Sequence, residues 1–171
     1  MDQRARTTHA RTRSARSRRS RTARVVEIRS EVAGGSRQIR RLRTRAVAFL
    51  SMLDLGDVEL SVLLTDDPGI RVLNREWRRK DRPTDVLSFP AGEPPPGSTG
   101  PRHLGDVILS LDTARRQARV HGHRLADELD LYLAHGLLHL LGHDHHRRQD
   151  ARRMAALESR LLGRPGMVPP R

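Results

Sequence analysis

The 171-residue chain contains no cysteine. That excludes a disulfide framework and any thiolate metal site, and it fits a reducing compartment, so a cytoplasmic location is expected. Aromatic residues make up only 2% of the sequence, so a core has to be built from aliphatic side chains. No segment approaches the uninterrupted apolar length of a membrane span. No signal-peptide pattern is legible either, because the first apolar run comes late and no small-residue cleavage site follows it. Lysine is nearly missing as well: Lys80 stands alone, and the net charge of +13 is an arginine effect. The length suits one domain with a real core and is short for two.

What is present is unevenly distributed. Residues 1–24 hold nine arginines and one acid, Asp2, among Ser, Thr and Ala. Such a segment has too little apolar surface to fold and reads as a disordered basic arm. Three roles are open to it: binding RNA phosphates by counterion release, serving as an Arg- and Ser-rich transit peptide, or being an extension with no selected role. Residues 25–163 carry the patterns of a folded domain, and residues 164–171 form a Pro-rich tail that is expected to fray.

Within 25–163, Val26, Glu27 and Ile28 mark a first strand that ends at Gly34 and Gly35. From Ser36, a residue type suited to an N-cap, Ile39, Leu42, Ala46, Phe49 or Leu50, and Leu53 recur at helical spacing. Residues 57–65 alternate as a half-buried strand, with Val58, Leu60, Val62 and Leu64 on one side. Asp66, Asp67 and Pro68 signal a helix start, and Ile70, Leu73 and Trp77 supply its buried stripe. Strands are expected over 84–89 and 104–110, separated by a Gly/Pro-rich loop over 91–101. Asp112 is a candidate cap for the helix that follows; helices over 125–141 and 147–162 close the domain, the last with Met154, Leu157 and Leu161 inward. This order predicts an α+β domain in which a small mixed four-stranded sheet is covered by about five helices.

Function is concentrated near the C-terminal end, where five of the nine histidines fall between His135 and His146. His135 and His139 are separated by one helical turn plus about 40°, so both imidazoles leave the same helix face and can reach one metal ion. They interrupt a Leu-rich helix, where two uncompensated imidazoles would be costly to bury. Gly142 is the residue type that ends a helix in a left-handed conformation. The chain can reverse there and bring His145 back as a third ligand, although His143 is an alternative to it. Three imidazoles with an open fourth position describe a catalytic zinc site better than a structural one. The common zinc-protease motif has Glu after its first His as general base, whereas this chain has Gly136. Asp144, beside a ligand, could orient it from behind.

A second unusual passage runs from Asn74 to Pro90, a cationic turn leading straight into a strand. Arg78, Lys80 and Arg82 could bind phosphate, Arg through its bidentate fork and Lys as a point charge. Asp85, Ser88 and Asp106 are weaker candidates for lining the same cleft, with a strand-end hydrogen bond as the competing role for Asp106.

Together, Leu73 and Asn74, the Pro-Thr-Asp-Val-Leu-Ser-Phe-Pro run ending at Pro90, Leu-Gly-Asp-Val-Ile over 104–108 and His-Gly-Leu-Leu-His-Leu-Leu-Gly-His-Asp-His over 135–145 resemble the YbeY family of bacterial endoribonucleases. The basic arm lies outside the match. The resemblance implies one Zn2+ per chain held by His135, His139 and His145, with hydrolysis of single-stranded RNA phosphodiesters. It further implies maturation of the small-subunit rRNA 3′ end and ribosome quality control, with rRNA, ribosomal particles, and a ribosomal protein or GTPase as partners. Arg78 falls on the family's functional arginine, preceded here by Trp77 where Tyr or Phe is more usual. Competing readings are a ribosome-assembly RNA-binding factor with a structural zinc, and a zinc hydrolase acting on a substrate other than RNA.

Overall fold

The computed structural model describes residues 23–144 and 147–163. Its elements follow the order β1 (Arg24–Ser30), α1 (Ser36–Met52), β2 (Val58–Thr65), α2 (Asp67–Arg78), β3 (Val86–Pro90), β4 (Arg102–Ser110), α3 (Leu111–Val120), α4 (Leu125–Leu140) and α5 (Arg148–Leu162). The four strands form one sheet in the order β1-β2-β4-β3. The first two pairings are parallel and β3 runs antiparallel to β4, which makes the expected mixed α+β architecture. Arg24, assigned from composition to the basic arm, instead opens β1: it pairs with Val58, and its Nε donates to the Leu55 carbonyl at 2.5 Å. The rest of the arm and the Pro-rich tail lie outside the described residues. No helix among the described residues is long and apolar enough to cross a membrane.

Period-two alternation divides the sheet into two faces. Val26, Ile28, Val58, Leu60, Val62, Leu64, Val107 and Leu109 turn toward one face and join the apolar sides of α1 and α4 in the main core. Leu87 and Ile108 point the other way and pack with Ile70 of α2, flanked by Leu63, Leu73 and Phe89. The aliphatic core demanded by the scarcity of aromatics is realised, with Phe49 as its one fully buried phenyl ring.

Local signals settle where the helices start, with three departures from expectation. Asp66 caps α2 by accepting from Gly69 N at 2.8 Å. Ser36, however, is the first residue of α1 rather than its cap, a position taken by Gly35 without a side-chain bond. On α3 the cap is Ser110, whose Oγ accepts from Thr113 N at 3.1 Å; Asp112 is the second residue of the first turn and pairs with Arg115 at 3.3 Å. Trp77 departs furthest. It is 65% exposed, and its ring stands edge-on to Phe89 of β3 at 5.7 Å between centroids.

α4 is the central helix, buried on nearly every side. The Asp130 carboxylate on it accepts two hydrogen bonds from Arg41, at 2.7 and 2.6 Å, and so clamps α1 to α4. On its opposite side α4 presses onto the sheet at Gly136. A Cβ there would lie 2.7 Å from Val107 Cγ1 and 3.1 Å from Ser88 Oγ. Only glycine permits this approach, and Ser88 Oγ uses it to donate to the Gly136 carbonyl at 3.1 Å.

Candidate active site

The close contact at Gly136 holds the C-terminal half of α4 over β3, and the cleft beside it is a cavity of about 710 Å³. Its walls come from four places: the end of α2 (Trp77, Arg78), the run from Thr84 to Pro90, His135 and His139 on α4, and Gly142, His143 and Asp144 beyond it. Two passages more than forty residues apart in sequence thus meet in one site.

His135 and His139 leave the same face of α4, and their Nε2 atoms stand 3.0 Å apart. Two nitrogens bound to one tetrahedral zinc at about 2.0–2.1 Å would stand roughly 3.3 Å apart, so this spacing suits a shared ion. His135 is oriented from behind: its Nδ1 lies 2.6 Å from Oε1 of Glu158, a buried acid on α5. A carboxylate on Nδ1 fixes the tautomer that presents Nε2 as a ligand and raises its basicity. Past α4, Gly142 takes φ +83, and the chain turns back as its residue type predicts. His145 lies outside the described residues. His143 and Asp144 both reach the cavity wall.

On the cationic side, Asn74 organises the turn after α2. It is 2% exposed, and its Nδ2 donates to the Arg82 carbonyl at 2.7 Å. The turn passes through Arg79, which takes φ 57 in the left-handed region. Arg71 binds Asp81 through two hydrogen bonds of 2.8 Å, and those hydrogen bonds, more than charge attraction alone, hold Asp81 below the ordinary carboxylate range. Arg78 makes no ion pair among the described residues and faces the cavity. Lys80 and Arg82 are exposed on the turn and are not among the side chains lining the cavity.

Asp85 and Ser88 line the cleft, as expected, but Asp85 is engaged in the turn: its Oδ1 accepts from Thr84 Oγ1 at 3.0 Å and from Val86 N at 2.9 Å. Asp106 is a correction. It points to the opposite face of the sheet and lines a separate groove with Glu27, Ser61 and Ile108, because its strand neighbours Gly105 and Val107 hold it on the other pleat.

A family model described as Endoribonuclease YbeY matches residues 27–166. The chain belongs to the YbeY family of endoribonucleases. It is 64% identical over 129 residues to Endoribonuclease YbeY of Myxococcus xanthus, a match that covers 75% of this chain and 44% of that relative. The YbeY endoribonuclease of Anaeromyxobacter dehalogenans is 56% identical over 144 residues, covering 84% of this chain and 73% of the relative. Among solved structures, the solution structure of a Thermotoga maritima protein is similar at a TM-score of 0.55 and 25% identity, covering 81% of this chain and 90% of that one.

Sequence reasoning missed two sets of residues. Glu158 could have been found, since it interrupts the inward stripe Ala151, Met154 and Leu161 of α5 with an acid. The other set is His121, His123 and Glu128, which could hold a metal ion: their ligand atoms all lie within 4.8 Å of one another. A His-x-His spacing with an acid five residues on was its signal.

Proposed function

We propose that this YbeY-family chain hydrolyses phosphodiester bonds of single-stranded RNA, using one zinc held by His135, His139 and His145. The observation that carries the reading is the convergence of the Nε2 atoms of His135 and His139 in the cavity that Arg78 also faces. Zinc bound there supplies Lewis acidity and a water ligand of near-neutral pKa. The protein's own groups do the rest. Glu158 holds the His135 ring in register, and Arg78 supplies the cation that offsets the charge added to phosphorus as the nucleophile approaches, a role suited to its bidentate fork. Lys80 and Arg82, on the exposed turn outside the cavity, position the RNA backbone leading to it. Asp144 supports the ligand set from the cavity wall.

Trp77 supports a single-stranded substrate. An indole left 65% exposed at the cavity rim offers a stacking face to a base that is not already stacked in a duplex. The further reading, from the family, is cytoplasmic action on rRNA, chiefly the small-subunit 3′ end, in ribosomal particles and with a ribosomal protein or GTPase as partner. A zinc protease is disfavoured by packing as well as by sequence: the position after His135 has no room for the Glu such enzymes place there. A purely structural zinc in an RNA-binding factor is disfavoured by the cavity beside the two imidazoles.

The test is cleavage of end-labelled single-stranded RNA by the zinc-loaded chain beside a His139→Ala control purified identically. Cleavage by the former alone supports the proposal, and equal cleavage by both would overturn it.

A further inference from the structure

His121 caps the C-terminal end of α3, and the chain reverses through Gly122, at φ +66, before α4 begins. This short turn sets His121 and His123 side by side, with ring centroids 5.6 Å apart. Both Nδ1 atoms face Glu128, in the first turn of α4: His123 Nδ1 is 3.2 Å from Oε2 and His121 Nδ1 is 4.0 Å from Oε1. Glu128 is fully buried, and its Oε1 accepts no hydrogen bond among the described residues. A buried carboxylate is stabilised best by a cation, and the buried Tyr132 hydroxyl beside it, one turn along α4, carries no charge. No arginine among the described residues supplies a cation: the neighbouring Arg124 is committed to Asp127 through hydrogen bonds of 2.9 and 3.0 Å.

We propose that His121, His123 and Glu128 bind a second zinc, separate from the ion of the active site, which ties the end of α3 to the start of α4. Two imidazole nitrogens and a carboxylate oxygen, each about 2.0–2.2 Å from the ion, form a set zinc favours. His123 Nδ1 stands 3.2 Å from Oε2, close to the roughly 3.3 Å between neighbouring ligands of a tetrahedral zinc, and one ligand atom from each of the three residues lies within 4.8 Å of the others. The imidazoles are partly exposed, at 25% and 32% of their side chains, so zinc can enter from solvent and keep a water as its fourth ligand. Glu128 and His135 are seven residues apart on α4, about 10 Å along the helix axis. The two ions are thus too distant to form a two-metal centre, whose ions lie about 3.5–4 Å apart. The site's effect is on the rigidity of the α3–α4 turn.

The bland competitor is a protonated His123 paired with Glu128, which needs no metal. Zinc titration of the chelator-stripped full chain at pH 7.5, in competition with a chromophoric chelator, separates the two. The wild type is expected to take up two tight equivalents per chain. His121→Asn/His123→Asn and, independently, the near-isosteric Glu128→Gln should each take up one, while far-ultraviolet circular dichroism reports that they are folded and RNA cleavage stays at the wild-type rate. His139→Ala should lose the other equivalent. Isotherms of both turn variants superimposable on the wild type would overturn the proposal. A His139→Ala isotherm matching the wild type would instead count against the active-site ligand assignment and leave the second site standing.

Discussion

At the scale of single residues, the site separates groups that hold a metal from groups that handle phosphate, and substitutions should separate them too. Glu158 acts through His135 Nδ1, at 2.6 Å, so Glu158→Gln should weaken zinc affinity by about 10–100-fold, a loss typical of removing a carboxylate behind a ligating imidazole. A chelator competition assay reads this directly. Trp77 is exposed and supported by Phe89 at 5.7 Å. Trp77→Ala should therefore raise KM for single-stranded RNA by the equivalent of about 1–3 kcal/mol of lost base stacking, with little change in kcat or in melting temperature. The residue scale was also the most legible in sequence. His135 and His139 declare themselves by chemical type and spacing, Arg78 is singled out from its cationic turn by the family resemblance, and all three reach one cavity. Glu158 and Glu128 left only weak traces, an acid on the inward stripe of α5 and an acid five residues after a His-x-His pair, and their roles became plain only once the partners from other elements were placed.

At the scale of elements, the decisive contact is α4 against β3 and β4. Gly136→Ala would place a methyl group 2.7 Å from Val107 Cγ1 in a packed core. It should destabilise by about 1–3 kcal/mol, the usual cost of overpacking, and should lower kcat by lifting both histidines away from β3. Denaturant unfolding and cleavage kinetics measure the two effects. The clamp between α1 and α4 should respond differently: Asp130→Ala strands Arg41 and costs stability without touching the cleft. Helix existence and strand alternation were readable because period-two and period-3.6 patterns reflect burial. The caps of α1 and α3, and the exposure of Trp77, were not readable. They depend on where one element stops relative to another, and an apolar residue at the end of a helix has the same spacing whether or not a sheet lies beneath it.

At the scale of the whole molecule, α2 and α3 are joined by Asp67, and this joint is pH-sensitive. Burial pushes the Asp67 carboxyl up, but hydrogen bonds from Ser110, Thr113 and Arg116, with the charge of Arg116, outweigh it and leave the group below its ordinary value. A carboxylate depressed in the folded state binds fewer protons there than in the unfolded chain. Its stabilisation is complete above the ordinary carboxylate range and is lost as pH falls through the folded value. Asp67→Asn should therefore flatten the acid limb of the stability curve below about pH 4, where model carboxylates titrate, while behaving like the wild type in its pH dependence near neutrality. A melting-temperature series across pH measures this. The sheet order and the two faces of the sheet belong to the same scale; sequence order suggested a mixed sheet, but that β4 inserts between β2 and β3 is a long-range choice no local pattern carries.

The central claim is that one cleft joins a histidine-held zinc to a phosphate-binding arginine. It is tested most directly by measuring zinc content and single-stranded RNA cleavage together for the wild type, His135→Ala and Arg78→Glu. His135→Ala should lose the active-site zinc and cleavage at once, whereas Arg78→Glu should keep the wild-type zinc content and lose cleavage. Wild-type cleavage by Arg78→Glu, or an inactive His135→Ala with full zinc occupancy, would contradict it.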